Sequence, residues 1–193
     1  MANVSNLAAL KILKAMPLRV YINPTIASDG SVAIANGGLD AAVHTLAKDL
    51  GYTQGGLQFG STPTFEGLPV DQSPEDILMS LSSKVGSIKF KGLQVRDYAI
   101  WQKLIPAAAL LTATGLTGIS DQLDQTVTPF SLVGIAPTPN DPTKSIYIVG
   151  YSGYNVAPFN VNFGKQYNVT DIEMKLIDPG RADGKTWAIW EQT

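Results

Sequence analysis

The sequence contains no cysteine and one histidine among its 193 residues. Without cysteine, the chain cannot form a disulfide, offer a thiolate to a metal or use a thiol as a nucleophile. A single histidine, His44, excludes a metal site with two histidine ligands and a nucleophilic pair of cysteine and histidine. We interpret His44, in LDAAVHTLAKDLG, as an ordinary surface or helical residue. Stability must therefore come from packing and assembly.

Charged side chains are also few. They make up 16% of the chain, whereas hydrophobic residues make up 45%. Soluble domains usually carry about 25% charged residues, so this composition favours a protein that buries much of its surface against partners. The 14 basic and 16 acidic residues give a net charge of −2 and form no basic run. Electrostatic binding to nucleic acid or to anionic lipid is therefore not expected.

The sequence shows no signal-peptide core and no membrane helix. In the first stretch, MANVSNLAALKILKAMP, Lys11 and Lys14 interrupt the apolar spacing, so we expect an amphipathic or irregular arm. The charge-free stretch of residues 104–120 is shorter than the roughly 20 residues that a membrane helix needs. The sequence therefore predicts a soluble single domain over residues 1–193, with an N-terminal arm at about residues 1–20.

Alternation of apolar and polar residues predicts strands in about seven segments. The clearest is GSIKFKGLQV, where Ile88 and Phe90 lie on one face and Lys89 and Lys91 on the other. Two short strands are predicted in TQGGLQFGSTPTFEGLPVD, and others in PFSLVGIAPTP, in KSIYIVGYSGYNVAPFNVNF and in YNVTDIEMKLID. After the last of these, DPGRADGKT and the residues from Trp187 onwards predict a turn and a final strand, and so a closing hairpin.

Helical spacing is confined to RDYAIWQKLIPAA, in which Tyr98, Trp101 and Leu104 or Ile105 share one stripe until Pro106 ends the helix. This pattern indicates an α+β fold that is mainly β. The predicted architecture is a two-sheet antiparallel β-sandwich or flattened barrel with one flanking α-helix.

Two connecting stretches are harder to interpret from their residues. In DQSPEDILMSL, Ser73 can cap a helix and Pro74 suits the first helical position, which predicts a short helix or an ordered loop. We assign a long loop to about residues 71–85. The stretch of residues 104–128 is rich in threonine and weakly patterned, and a loop, a strand and an extension are all compatible with it.

No arrangement of residues predicts catalysis. The glycine-rich residues 51–60 match neither a Walker motif nor a dinucleotide-binding motif. DPGRADG has acidic oxygens but places Arg181 among the ligand positions of a calcium loop. Neighbouring acidic residues are better interpreted as helix-terminal, loop or strand-surface charge. These pairs are Glu75 with Asp76, Asp121 with Asp124, and Asp171 with Glu173. We therefore predict no catalytic residue, no cofactor, no metal site and no enzymatic activity.

Three stretches form a distinctive series along the chain. Residues 50–77 contain LGYTQGG, a bend with Thr-Pro and the passage VDQSP. Residues 86–106 are a strand followed at once by the helix. Residues 161–191 contain a Phe-Gly-Lys turn, a strand ending near Asp-Pro and a last strand. In this order and combination, the stretches resemble the tail tube (major tail) proteins of tailed bacteriophages.

The resemblance implies a two-sheet β fold flanked by one helix, with six copies in a ring and rings stacked into a hollow tube for genome ejection. Implied partners are other copies of the chain, the tape measure, baseplate and terminator proteins of the tail, and a sheath protein if the tail contracts. DNA would pass without specific binding, since a lumen with few cations gains little from counterion release. No membrane is implied. The implied location is the virion tail, after synthesis in the host cytoplasm.

Two surfaces are candidates for contacts between copies. The closing hairpin would bury one face in the core and leave its edge to the adjacent subunit. The long loop is the candidate for contact between rings, because capping residues stand there beside apolar ones. The candidate contact residues are Asp71, Gln72, Ser73, Pro74, Glu75, Ile77, Leu78 and Met79.

Two other functions fit the same residue pattern. A monomeric β-barrel protein that binds a small ligand would use the alternation to line a cavity. Another virion component, such as a tail terminator, baseplate or decoration protein, would also assemble from a β-rich chain. The oligomeric state distinguishes the binding protein from the tube, and location in the particle distinguishes the virion components.

Overall fold

The computed structural model describes residues 18–35, 37–70, 73–93, 97–121, 126–138, 141–160 and 169–192. Over these ranges the chain is mainly β, with antiparallel strands and the single helix α1, Tyr98–Leu104. The strands are β1 Arg19–Ile22, β2 Ile34–Ala35, β3 Gly38–Leu39, β4 Lys48–Val70, β5 Ser73–Leu93, β6 Ala108–Ala113, β7 Leu116–Asp121, β8 Phe130–Thr138, β9 Asp141–Asn155, β10 Val169–Leu176 and β11 Trp187–Glu191. The predicted mainly β antiparallel fold with one helix is confirmed.

The main sheet closes on itself. Its strands follow the order β10, β5, β4, β1, β8 and β9, and the end of β9 pairs in turn with β10, where Gly153 lies opposite Leu176. β11 lies on the same edge of β9 as β10, one step further along. Two small hairpins, β2 with β3 and β6 with β7, stand apart from this sheet. Closure satisfies the backbone groups of strands that would otherwise present open edges.

Alternating side chains fill the inside of the closed sheet. Ile88 and Met174 have no exposed surface. A methyl group added at Gly150 would lie 2.8 Å from Cδ1 of Ile88, which shows how tightly the interior is packed. The interior core comprises Val20, Ile22, Leu50, Ile88, Phe90, Phe130, Leu132, Ile172, Met174 and Leu176 with three residues of α1.

The outer face of β5 and β10 carries the charges that alternation predicts. Lys89 faces Glu173, with Nζ 2.8 Å from Oε1, and Lys91 faces Asp171, with Nζ 3.5 Å from Oδ1. Each lysine lies directly opposite its carboxylate in the strand register. The predicted polar face of this strand is therefore confirmed.

A second core lies outside the closed sheet, on the other face of β1, β8 and β9. Residues 24–35 and 37–47, here called the outer flap, cover this face. Val32 of the outer flap packs with Tyr21, Val133 and Tyr147 of the strands. As a result β8 is buried on both faces, which explains the nearly continuous apolar run SLVGIA.

Helix α1 closes against the interior core. The carboxylate of Asp97 accepts a hydrogen bond from Ala99 N at 2.8 Å and caps the helix, which ends before Pro106. Trp101 and Leu104 are buried on the predicted stripe, so the sequence prediction of this helix is confirmed. Asn155 of β9 donates a hydrogen bond to Leu104 O at 2.8 Å and so fixes the last turn of the helix to the sheet.

The predicted long loop at residues 71–85 is wrong over its described part. β5 begins at Ser73, so this segment is a strand and neither a loop nor a short helix. The two short strands predicted in residues 53–71 are likewise one continuous strand of 23 residues, β4. Pairing with β4 along almost its whole length overrides the local capping signals of β5. At the N-terminus, Arg19 and Val20 belong to β1, and residues 1–17 of the predicted arm lie outside the described residues.

The predicted closing hairpin is also wrong, because β10 and β11 do not pair with each other. Both pair with β9 along the same edge, β10 up to Gly153 and β11 from Gly150. Hydrogen bonds from Ile177 N to Ser152 O and from Tyr151 N to Thr186 O continue this ladder across the gap. β10 and β11 are thus one interrupted strand, and residues 177–186 form an excursion between its two parts. Of the structures compatible with residues 104–128, the strand is found, as the β6–β7 hairpin.

Candidate assembly surface

The β4–β5 hairpin extends well beyond the closed sheet. β10 accompanies β5 up to Ser87, and β1 accompanies β4 up to Tyr52. Beyond these points, residues 61–70 and 73–86 pair with each other alone among the described strands. This part of the hairpin is here called the β-arm. At about 3.4 Å per residue it reaches roughly 30 Å from the closed sheet.

Apolar side chains of the β-arm are exposed. Phe65 and Leu81 lie opposite each other in the register and are 54% and 55% exposed, and Val85 is 41% exposed. An isolated two-stranded ribbon is at best marginally stable in water, because it has no sheet or helix to pack against. Among the described strands, none pairs with the outer edges of the β-arm, and its apolar surface is one that a partner would cover.

The base of the β-arm is held by β11. The rings of Phe59 and Trp187 lie with centroids 4.1 Å apart, and Lys84 Nζ is 5.7 Å from the centre of the Trp187 ring. This contact fixes the direction in which the hairpin leaves the closed sheet.

A bulge at Gly55 and Gly56 lies where β4 passes from the closed sheet towards the β-arm. Both glycines have positive φ, 84° and 87°, and the register with β5 shifts between Gln54 and Leu57. Residues with a side chain adopt this conformation at a cost, and such bulges bend and twist a strand. The glycine-rich stretch that matched no nucleotide-binding motif therefore has a structural use.

The sequence-predicted contact residues fall at the far end of the β-arm. Asp71 and Gln72 lie outside the described residues. The others belong to β5, and the strand register sets Ser73 opposite Val70 and Leu78 opposite Leu68. These positions are Ser73, Pro74, Glu75, Ile77, Leu78 and Met79. The structure brings them together in the outermost part of the hairpin, and their contact role stays a prediction.

β11 supplies a second edge to which no described strand is added. It pairs with β9 on one side, and no described strand pairs with its other side. Ile189 is 50% exposed on this strand. The sequence predicted a free strand edge on a closing hairpin. The structure has such an edge on the last strand, β11, although β11 is not part of a hairpin with β10.

A cleft of about 710 Å³ lies between the outer flap and strands β1 and β4. Arg19 projects into it, with Nε 3.0 Å from Oδ2 of Asp49 and its guanidinium 5.4 Å from the ring of Tyr21 and 5.9 Å from that of Tyr52. The hydrogen bond to Asp49 raises the pKa of Arg19. Because the two charges satisfy each other, the described lining of the cleft presents no unpaired lysine or arginine to an anionic ligand.

His44 also lines this cleft, but it is neither a surface residue nor part of a helix. It is 5% exposed, its Nδ1 accepts a hydrogen bond from Thr25 N at 2.9 Å, and its Nε2 lies 2.8 Å from Ala33 O. Nε2 must carry the proton, because a carbonyl oxygen is an acceptor. The interpretation from sequence is thus corrected: His44 ties together two parts of the outer flap.

Arg181, which the sequence indicated as unsuited to a calcium loop, organises the excursion between β10 and β11. Its guanidinium lies 4.6 Å from the ring of Tyr151, donates to Ser28 O at 2.8 Å and forms a bidentate pair with Asp183. This pair holds the pKa of Asp183 well below its usual range. The excursion is therefore fastened to the outer flap. Tyr151 and Ser28 lie far from Arg181 in the sequence, so local spacing gave no signal of the cluster.

Neither a metal site nor a membrane-spanning helix is found among the described residues. There, no group of three or more acidic or histidine side chains is placed to hold a metal ion. No helix of the same residues has the length and apolar character needed to cross a membrane. Asp171 and Glu173 are engaged in cross-strand ion pairs. Comparison with models of protein families and with curated proteins finds no match to the chain.

Proposed function

We propose that the chain is a structural virion protein, the major tail tube subunit of a tailed bacteriophage, which assembles into stacked hexameric rings that conduct the genome during ejection. The observation that carries the proposal is the β-arm, a two-stranded extension with exposed Phe65 and Leu81 and no partner strand in the described chain. Such an element is a liability in a monomer and an advantage in an assembly, where a neighbour completes it.

The β-arm and the β11 edge are two different surfaces. Contacts between unlike surfaces repeat from subunit to subunit and close into rings or continue into filaments, whereas contacts between like surfaces stop at a dimer. In the proposed tube the β-arm contacts the adjacent ring through residues 71–79, and the β11 edge serves contacts within a ring.

The charge distribution suits a conduit for DNA. Lys89 and Lys91, on the outer face of β5, are each paired with a carboxylate on β10. A paired lysine releases fewer counterions from DNA than a free one, so a surface of this kind holds passing DNA weakly. The proposed partners are further copies of the chain, the tape measure, baseplate and terminator proteins, and a sheath protein in a contractile tail. The proposed location is the virion tail.

Packing argues against the alternative of a small-ligand carrier. Ile88, Leu132 and Met174 fill the closed sheet with no exposed surface. A ligand-binding barrel keeps a cavity at this place. The large cleft instead lies outside the sheet, beneath the outer flap.

Two double variants of the β-arm test the proposal. Ile77→Asp with Leu78→Asp places charges in the predicted contact region. Phe65→Asp with Leu81→Asp places charges on the exposed apolar surface that the structure describes on the β-arm. We expect both proteins to stay folded by circular dichroism and to form no tubes in electron micrographs. Leu46→Asp is the matched control, since Leu46 is 80% exposed on the outer flap, and it should assemble normally. Tubes of normal length from both double variants would contradict the proposal.

A further inference from the structure

The β6–β7 hairpin, residues 108–121 and here called the β-ribbon, has no role in the function proposed above. Its base is anchored, because Ala108 is buried and Ile119 packs against the interior core. Towards its tip, Leu110 is 42%, Leu111 50% and Leu116 71% exposed. No other described strand pairs with it.

The β-ribbon lacks the features by which proteins protect exposed strand edges. From Ala108 to Ser120 it contains neither a charged residue nor a proline. β6 and β7 pair over their whole length without a register shift. By contrast, the β-arm carries Pro63 and Lys84 along its strands. Charges, prolines and bulges are the usual means of preventing a further strand from adding to an edge, so the β-ribbon is open to such addition.

We propose that the β-ribbon accepts β11 of a second copy of the chain as an added strand. A strand that joins this ribbon must itself be uncharged, because a lysine or carboxylate set against Leu111 would lose its water without gaining a counter-charge. Residues 187–190 of β11, Trp-Ala-Ile-Trp, meet this requirement, and one edge of β11 has no partner among the described strands. Addition would also give the ribbon the third strand that a free-standing hairpin needs for stability.

This inference rests on the proposed ring. Pairing of one β-ribbon with another would be a contact of like surfaces and would end at a dimer. Pairing of the β-ribbon with β11 uses unlike surfaces, so each subunit offers one and receives the other. The β-arm then remains free for the contact between rings.

Single cysteines test the pairing directly, because the natural chain has none. One protein carries Leu111→Cys and the other Ile189→Cys, and Thr112→Cys and Leu116→Cys sample neighbouring registers. The proteins are mixed, allowed to assemble and oxidised, and disulfide-linked dimers are measured on denaturing gels. We expect at least one ribbon position to link to Ile189→Cys several times more than Leu46→Cys does, since opposed strand positions meet disulfide geometry. A chain carrying both cysteines should give a ladder of linked subunits.

The outcomes separate this inference from the function on which it rests. Rings or tubes without any link between ribbon positions and Ile189→Cys, or with links between ribbons alone, overturn the inference and leave the tube in place. A protein that stays monomeric at every concentration overturns both. The double variant Leu111→Lys with Leu116→Lys gives a second readout. We expect its subunit to stay folded, because the base of the β-ribbon is anchored, and to form no rings. The surface control Leu46→Lys should still form rings.

Discussion

Trp187 and Phe59 join the last strand to the base of the β-arm, with ring centroids 4.1 Å apart. Replacing Trp187 with alanine removes this contact and leaves a gap beside β4. We expect a loss of about 2 kcal/mol in the free energy of unfolding, measured with urea, which is below the value for a fully buried tryptophan because Trp187 is half-buried. Ile189→Ala on the same strand, at a half-exposed position, should cost clearly less. Equal losses in the two variants would show that the aromatic contact has no special weight.

Gly153 is the point at which β9 meets β10 and the sheet closes. A Cβ at this position would lie 2.4 Å from Lys175 O and 2.9 Å from Met174 Cε, which is closer than atoms tolerate. We expect Gly153→Ala to destabilise the protein by more than about 2 kcal/mol, because backbone must move to relieve the overlap. Gly118→Ala is the matched control in a strand, since its nearest neighbour would lie at 3.8 Å. Thermal unfolding at the same temperature for both variants would contradict this account of the closure.

Asn155 connects α1, β9 and β10 through its side-chain amide. It is 2% exposed, donates to Leu104 O at 2.8 Å and accepts from Glu173 N at 3.1 Å. Replacement by leucine keeps the volume and leaves both backbone groups without these partners. Because each unsatisfied buried group costs about 1–3 kcal/mol, we expect a loss of about 3 kcal/mol. Urea unfolding measures it, and a loss below about 0.5 kcal/mol, the range of ordinary surface changes, would refute the proposed connection.

His44 should control the outer flap more than the closed sheet. Phenylalanine at this position keeps an aromatic ring in place but loses the hydrogen bonds to Thr25 N and Ala33 O. We expect proteolytic cleavage within residues 24–47 to become faster, since the flap would open locally while the interior core stays packed. Val43→Ala, a neighbouring exposed position, should leave the cleavage rate unchanged. An unaltered rate in His44→Phe would show that other contacts hold the flap.

The pair of Arg181 and Asp183 predicts a specific dependence of stability on pH. Hydrogen bonding to Arg181 lowers the pKa of Asp183 in the folded protein, so the folded state binds a proton less readily than the unfolded chain. The resulting stabilisation is present above the unfolded pKa of about 4 and is lost as the pH falls through the folded value. We expect Asp183→Asn to be less stable than the natural protein at pH 7, with the difference shrinking below about pH 4. A difference that is constant over this range would exclude the ionic contribution.

The local sequence pattern was sufficient to predict an element where the environment of each residue is determined by its neighbours in the sequence. The alternation of Ile88 and Phe90 with Lys89 and Lys91 reflects a strand with one core face and one wet face, and the stripe of Trp101 and Leu104 reflects a helix on that core. Both elements were predicted from these positions. Such regularity follows directly from the periods of strand and helix.

Long-range pairing decided the elements that the pattern missed. Ser73 and Pro74 carry helix-start signals, yet the ladder that joins β5 to β4, from Ser73 opposite Val70 to Gly92 opposite Thr53, places them in a strand. The segment between Leu176 and Trp187 resembles a hairpin turn in its local sequence. It forms an excursion instead, because β10 and β11 both pair with β9. The outer flap was not predicted for a related reason. Val32 contacts residues on strands, and His44 contacts residues in loops, that no local periodicity connects to them.

The candidate contact region was predicted from capping and apolar residues, and its extended form was not. Ile77 and Leu78 were assigned to a loop, and their strand continues the β-arm outwards from the exposed pair Phe65 and Leu81. Whether the apolar residues of a strand are exposed depends on which other elements pack over them. The local sequence pattern does not specify this packing. The prediction of a contact surface at this place remains to be tested by assembly.

Electron microscopy of the purified natural protein over a range of concentrations is the most direct test of the proposed tube. We expect rings with sixfold symmetry that stack into hollow tubes as the concentration rises. A homogeneous monomer at every concentration, with its extended hairpin left uncovered and no annular particles in the images, would contradict it.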